Sequence, residues 1–109
     1  MQATLDALAE PRRRQILALV RDRELAAGEI AANFDVTRSA ISQHVGVLKQ
    51  AGLVTERREG TKRLYRARPE GLADLRRFLD ELWSERLDVL TREAEREERR
   101  RKRDRGSSN

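Results

Sequence analysis

The sequence predicts a mainly α-helical fold carrying one small β-hairpin, and three observations predict it. Residues 29–51 read as a short helix, a break at Asn33-Phe34-Asp35-Val36, and a second helix beginning after Thr37. Two short runs with β-branched and aromatic residues, 53–58 and 62–67, flank Glu59-Gly60-Thr61, which is the pattern of a hairpin. After Pro69, Leu72, Leu75, Leu79, Leu82, Leu87 and Leu90, joined by Phe78 and Trp83, recur at helical spacing. Helix, short turn, helix and hairpin in that order outline a winged helix-turn-helix.

Composition narrows the possibilities. A chain of 109 residues suits one domain. With 38% hydrophobic and 39% charged residues its core must be small, so a lone subunit would be marginally stable and dimerisation is a natural remedy. The absence of cysteine excludes disulfides, thiolate metal sites and cysteine nucleophiles together. No apolar run approaches the roughly 20 residues of a membrane span. The N-terminus lacks the basic-then-apolar pattern of a signal peptide, so a cytoplasmic location is expected. Net charge is +5, from 24 basic and 19 acidic residues. Residues 92–105 hold 8 basic and 5 acidic residues and supply +3 of it, leaving 16 basic and 14 acidic elsewhere. Global charge therefore says little about nucleic acid; the local placement of base says more.

Each element has a reason. Leu5 and Leu8 lie three apart in a first helix that closes before Pro11. Pro11 suits the first turn of a second helix, where its missing N–H costs nothing. Ile16, Leu17, Leu19 and Val20 form that helix's apolar face. Arg12, Arg13 and Arg14 crowd its start against the dipole, so anionic partners are expected there, either a nearby Glu or Asp or a DNA phosphate. A third helix is expected over about 26–34, with Ile30, Ala31 and Phe34 inward. Thr37 is a good N-cap for the fourth helix, and Gly52 suits the left-handed residue that ends it near Ala51. The final helix carries a wider apolar stripe than so small a domain can cover, which reads as a helix–helix dimer seam. Its expected members are Leu5, Leu8, Leu75, Phe78, Leu79, Leu82, Trp83, Leu87 and Leu90. Residues 1–92 are expected to form the winged helix-turn-helix with its dimerisation helix. Residues 93–109 read as a charged tail, a frayed helix supported by i,i+4 pairs and then disorder.

The fourth helix carries the chemistry. If Ile41, Val45 and Leu48 face inward, then at 3.6 residues per turn Ser39, Ser42, Gln43, Gly46 and Gln50 face outward. That outer face has no carboxylate to repel phosphate and no bulky apolar residue. Gln43 can pair bidentately with adenine, and Ser42 with several bases. Thr37, Arg38 and Ser39 sit at the helix start, where the dipole and free N–H groups favour phosphate. His44 falls on the flank of the apolar face; a packed imidazole and a phosphate contact both fit it. Of the hairpin cations Arg57, Arg58, Lys62 and Arg63, strand alternation lets only some reach DNA, and Arg58, Lys62 and Arg63 are the expected ones.

Three stretches, 8–17, 36–54 and 58–65, resemble the ArsR/SmtB-type (arsenic-repressor-like) winged helix-turn-helix regulators. The middle one, Val36-Thr37-Arg38-Ser39-Ala40-Ile41-Ser42-Gln43-His44-Val45 and onward to Val54, is the most specific. The resemblance implies a homodimer built on the first and last helices that binds an operator and represses transcription. The chain departs from metal-sensing members. Glu24-Leu25 is followed by Ala26-Ala27-Gly28-Glu29-Ile30, with no thiol. The last helix has Asp74, Asp80, Glu81, Glu85 and Asp88 but no histidine, and carboxylates alone are poor ligands for zinc-type sensing. The chain thus resembles the branch lacking the metal-binding cysteines, and no metal or other cofactor is expected.

The expected function is sequence-specific DNA binding in transcription regulation, as a homodimeric repressor on a pseudo-palindromic double-stranded operator. Two other classes fit the same fold: a winged-helix protein-interaction module, and a non-specific DNA-binding protein. An enzyme is not expected, because nothing pairs with the single histidine as a nucleophile–base set and no glycine-rich phosphate loop occurs.

Overall fold

The computed structural model describes residues 1–107. The elements in order are α1 (Gln2–Ala9), α2 (Pro11–Leu19), β1 (Leu25–Ala26), α3 (Ala27–Ala31), α4 (Arg38–Gln50), β2 (Val54–Glu59), β3 (Lys62–Ala67) and α5 (Pro69–Ser107). Contacts divide the chain after Leu75 into two compact units.

In the first unit α1 to α4 close around one core. Ile16, Val20, Ile30, Ile41, Val45, Leu48 and Leu53 are its largest fully buried side chains. Their spacing on each helix, such as Ile41, Val45 and Leu48 on α4, is what places one stripe of every helix inward. Phe34, Tyr65 and Leu72 pack partly buried against this cluster.

The sheet is antiparallel with order β1-β3-β2. β1 is an addition to the hairpin expected from the sequence. Leu25 pairs with Tyr65 and Ala26 with Leu64, which gives β3 a partner on each side. The hairpin register runs from Val54 opposite Ala67 to Glu59 opposite Lys62. Only Gly60 and Thr61 turn the chain, and Gly60 takes φ +63, the positive value that a two-residue turn between twisted strands demands.

α3 is shorter than the expected 26–34. Ala26 is spent on β1, and its N–H donates to Glu29 Oε1 at 3.0 Å, which fixes the start of the helix. After Ala31 the backbone tightens: Asn33 N–H reaches Ile30 O and Phe34 N–H reaches Ala31 O, both at 3.1 Å. These i→i−3 bonds end an α-helix rather than extend it. α4 ends as its sequence suggests. Gly52 sits at φ +75, its N–H donates to Lys49 O, and Leu53 N–H donates to Leu48 O, both at 3.0 Å. This pair of bonds satisfies the last carbonyls of the helix and turns the chain into β2.

The arginines that crowd α2 find a partner of a different kind from the two expected. Arg13 Nε donates to Ala7 O at 2.6 Å, and Arg14 Nη1 donates to Leu8 O at 2.6 Å and Ala9 O at 3.3 Å. The acceptors are the last carbonyls of α1, where a helix carries partial negative charge. Arg12 stacks over the Phe34 ring, 4.8 Å from its centroid.

α5 continues without a break through residue 92 to Ser107. Ion pairs one turn apart line its charged part, including Arg99 with Glu95 at 3.7 Å, Arg101 with Glu97 at 3.8 Å and Lys102 with Glu98 at 3.9 Å. Such pairs support a helix that has no apolar face to bury. Ser108 and Asn109, the end of the expected disordered tail, lie outside the described residues.

Candidate nucleic-acid interface

Thr37 opens α4 by accepting the Ala40 N–H on its hydroxyl at 3.0 Å. That cap fixes where the helix starts, and the spacing of its apolar residues sets which side faces the core. Ile41, Val45 and Leu48 are buried. Arg38, Ser39, Ser42, Gln43, Gly46, Val47, Lys49 and Gln50 are exposed, and His44 is half-buried. From Thr37 to Ala51 no carboxylate occurs, so the polar groups of this surface are hydroxyls, amides and cations; contrary to the expectation of no bulky apolar residue there, Val47 is 41% exposed on it.

Beside that surface lies a cleft of about 540 Å³ between α4 and the hairpin. Arg38, Ser42, Gly46, Lys49 and Gln50 line it from the helix; Glu56, Lys62 and Arg63 line it from the strands. Four of the residues picked from the sequence, Arg38, Ser42, Lys62 and Arg63, thus meet around one cavity. Gln43 does not; it lines a shallow groove on the far side of α4 with Ala3, Asp6, Arg13 and Val47. Gly46 and Gln50 belong to both walls and form the crest between them. Ser39, His44 and Arg58 line neither. Arg58 stands opposite Arg63 in the hairpin register, so both point to the same face of the sheet.

Glu56 organises the cleft. Its carboxylate, on a side chain only 15% exposed, takes Lys49 Nζ on one oxygen and Arg63 Nε on the other, the latter at 3.4 Å. The Lys49 hydrogen bond, followed by the charges of Lys49, Arg63 and Arg58, holds the Glu56 carboxyl below its ordinary value. The hairpin is therefore tied to the C-terminal end of α4 through one acid shared by two bases. Neither Lys49 nor Glu56 stood out in the residue pattern. Lys49 lies seven residues beyond Ser42, on the same helical side, and that spacing was the available signal. Glu56 reads in the sequence as an ordinary strand acid.

Arg57 points to the opposite side of the sheet from Arg58. It donates to Glu24 and, at 3.0 Å, to Glu59. Among the described residues, no group of three or more His, Asp or Glu is arranged to hold a metal ion.

A family model described as "Bacterial regulatory protein, arsR family" matches residues 10–56, from the N-cap of α2 to the base of the hairpin. Over 81 residues, 74% of this chain and 76% of the other, the sequence is 47% identical to the HTH-type transcriptional regulator Rv2034 of Mycobacterium tuberculosis. The chain belongs to the arsR family of bacterial regulatory proteins. It lies, with no cysteine, in the branch without the metal-binding thiolates. Over 60 residues, 55% of this chain and 67% of the relative, it is 37% identical to the transcriptional repressor SdpR of Bacillus subtilis. Among solved structures it is similar to the homodimeric winged helix-turn-helix DNA-binding domain Mb0332 of Mycobacterium bovis, with a TM-score of 0.63 and 36% identity over 77% of this chain and 78% of that one. This arsR-family chain is thus a DNA-binding transcription regulator of winged helix-turn-helix fold.

Proposed function

We propose that the chain acts in the cytoplasm as a homodimeric repressor that occupies a pseudo-palindromic operator and senses no metal. The observation that carries this reading is the carboxylate-free outer side of α4, flanked by a cleft where Arg38 and Ser42 converge with Lys62 and Arg63. A helix with that surface fits a major groove, and cations beside it suit the adjoining backbone. In this reading Gln43 and Ser42 read bases. Thr37, Arg38, Ser39 and His44 approach phosphate around the helix start and edge, and Arg58, Lys62 and Arg63 hold the backbone from the hairpin. Arg57 is left out because Glu24 and Glu59 hold it.

The dimer follows from exposure. Leu82, Trp83 and Leu87 of α5 are 53%, 61% and 57% exposed in the single chain. An apolar surface of that extent calls for a partner, and a second copy of the chain is the partner that fits it; Leu5, Leu8, Leu75, Phe78, Leu79 and Leu90 are the other members of the seam in this reading. Two recognition helices about 34 Å apart would then enter successive major grooves. Bound there, the dimer would block transcription by occupying the promoter.

The test begins with DNA fragments selected by the purified protein, which define the operator. Affinities for that operator and for random duplex are then measured across salt concentrations. Gln43→Ala is expected to erode the preference for operator, by about 1–3 kcal/mol per lost bidentate contact. Lys62→Ala and Arg63→Ala are expected to weaken binding to both duplexes and to flatten the salt dependence by about one unit each. Shifting of all duplexes alike would make the chain a non-specific DNA binder. No DNA complex at all would make it a protein-interaction module.

A further inference from the structure

We infer that α5 carries a second phosphate-binding surface for duplex DNA, a row of four arginines at Arg92, Arg96, Arg99 and Arg103. This rests on the chain being a DNA binder but not on α4 or on the operator.

The row is a product of spacing. Steps of four, three and four residues return to nearly the same side of a helix, so the four Cα positions fall within an arc of about 60°. The row is about 16 Å long at 1.5 Å per residue. All four side chains are exposed. The other bases of this stretch are placed differently. Arg100 pairs with Glu97, Arg101 with Glu97 and Lys102 with Glu98. Within the row only Arg99 has an acid, Glu95, at 3.7 Å on a side chain that stays 76% exposed. Arg92, Arg96 and Arg103 have no ion pair among the described residues. Glu95, Glu97 and Glu98 are thus paired along the helix, and the bases without an ion pair among the described residues of this stretch collect on one side.

A surface that serves only solubility mixes both signs along each side of the helix. This row has no acid from residue 92 to 103. Duplex DNA presents about one negative charge per 1.7 Å of its axis, so a 16 Å row of guanidinium groups faces a continuous supply of phosphate. Guanidinium is also the side chain best shaped to hold phosphate oxygens in pairs. Glu93 and Glu97 border the row with Arg100, around a hollow of about 470 Å³. Glu97 is already neutralised by Arg100 and Arg101, which leaves Glu93 as the opposing charge. Because the row contains no group that reads base edges, its contribution is the same on every sequence.

The experiment uses the full chain with Arg92, Arg96, Arg99 and Arg103 changed together to Gln, and a second chain with the same four changed to Lys. Affinities for the selected operator and for random duplex are measured over a range of salt. The Gln variant is expected to bind both duplexes at least tenfold more weakly at about 0.15 M salt. Its log–log salt slope should fall by about 2–3, and its operator-to-random ratio should be unchanged. The Lys variant should keep the wild-type slope. An unchanged slope in the Gln variant, or a loss confined to operator, overturns the inference. So does a Lys variant as weak as the Gln variant while circular dichroism shows equal helix in all three proteins. A wild-type chain without operator preference would sink the repressor reading and still leave the slope comparison decisive for the row.

Discussion

The Arg57 guanidinium meets the Glu24 carboxylate edge to edge, Nε to Oε2 at 2.9 Å and Nη2 to Oε1 at 3.3 Å. The pair joins β2 to the residue that precedes β1, across β3, on the face of the sheet opposite the one that carries Arg58 and Arg63. This pairing is the reason Arg57 is left out of the proposed DNA contacts.

That pairing makes a prediction about pH. The Arg57 hydrogen bond holds the Glu24 carboxyl below its ordinary value near 4.5. A carboxyl whose pKa is lower in the folded state stabilises the fold above the unfolded pKa. The contribution disappears as pH falls through the lowered, folded value. Glu24→Gln should therefore lower the urea midpoint at pH 7 by a small amount, and the difference from wild type should close as the pH is taken progressively below about 4.5. A difference that stays constant down to full protonation would show that the pair contributes nothing through charge.

Gly71 makes a prediction about packing. A Cβ added there would stand 2.2 Å from the Gly52 carbonyl oxygen and 3.2 Å from its carbon. The obstacle is backbone, not a side chain that could swing away. It is also pinned, since Arg68 N–H donates to Leu53 O at 2.8 Å. Gly71→Ala should cost at least about 2 kcal/mol of stability, the upper part of the range for overpacking. Thermal or urea unfolding of the variant measures it; a variant as stable as wild type would mean that the first turn of α5 is free to lift from Gly52.

How much of this was legible in the residues depends on the range of the interaction. The sorting of α4 was legible, because Ile41, Val45 and Leu48 repeat at helical spacing and the cap at Thr37 marks where the helix starts. The hairpin was legible from Gly60. β1 was not, since two residues, Leu25 and Ala26, carry no periodicity and become a strand only when β3 arrives beside them. The partners of Arg13 and Arg14 were missed because they are backbone carbonyls of α1, and charge patterns register only side chains. Glu56 was missed for the same kind of reason. Its sharing by Lys49 and Arg63 exists only once the hairpin folds against α4.

Glu56 is the one acid that lines the cleft, and its removal should change selectivity rather than stability. Glu56→Gln frees Lys49 and Arg63 and takes a negative charge out of a surface proposed to face phosphate. Random-duplex affinity should rise about 3- to 10-fold at about 0.1 M salt, with a salt slope steeper by up to one unit. Operator affinity should rise less, because the hairpin is no longer held in one place, so the operator-to-random ratio should fall. Competition binding with unlabelled random duplex reads the ratio directly. Unchanged affinity for random duplex would place Glu56 and its two bases outside the DNA contact.

Thr37 has one observed role and one proposed role, and substitution can separate them. Its hydroxyl caps α4 through the Ala40 N–H, and the same residue is a proposed neighbour of phosphate. Thr37→Ala removes the cap and should cost about 1 kcal/mol of stability. It should also weaken DNA binding, which on its own would not say whether the cap or the contact mattered. Thr37→Asp keeps an equivalent acceptor, and a carboxylate at a helix N-terminus is favoured by the dipole, so stability should match or exceed wild type. On DNA the same carboxylate would meet phosphate of like sign, and binding to operator and random duplex should both fall by tenfold or more. A Thr37→Asp chain that is stable and still binds operator at wild-type strength would confine Thr37 to capping and move the phosphate contact further along the helix.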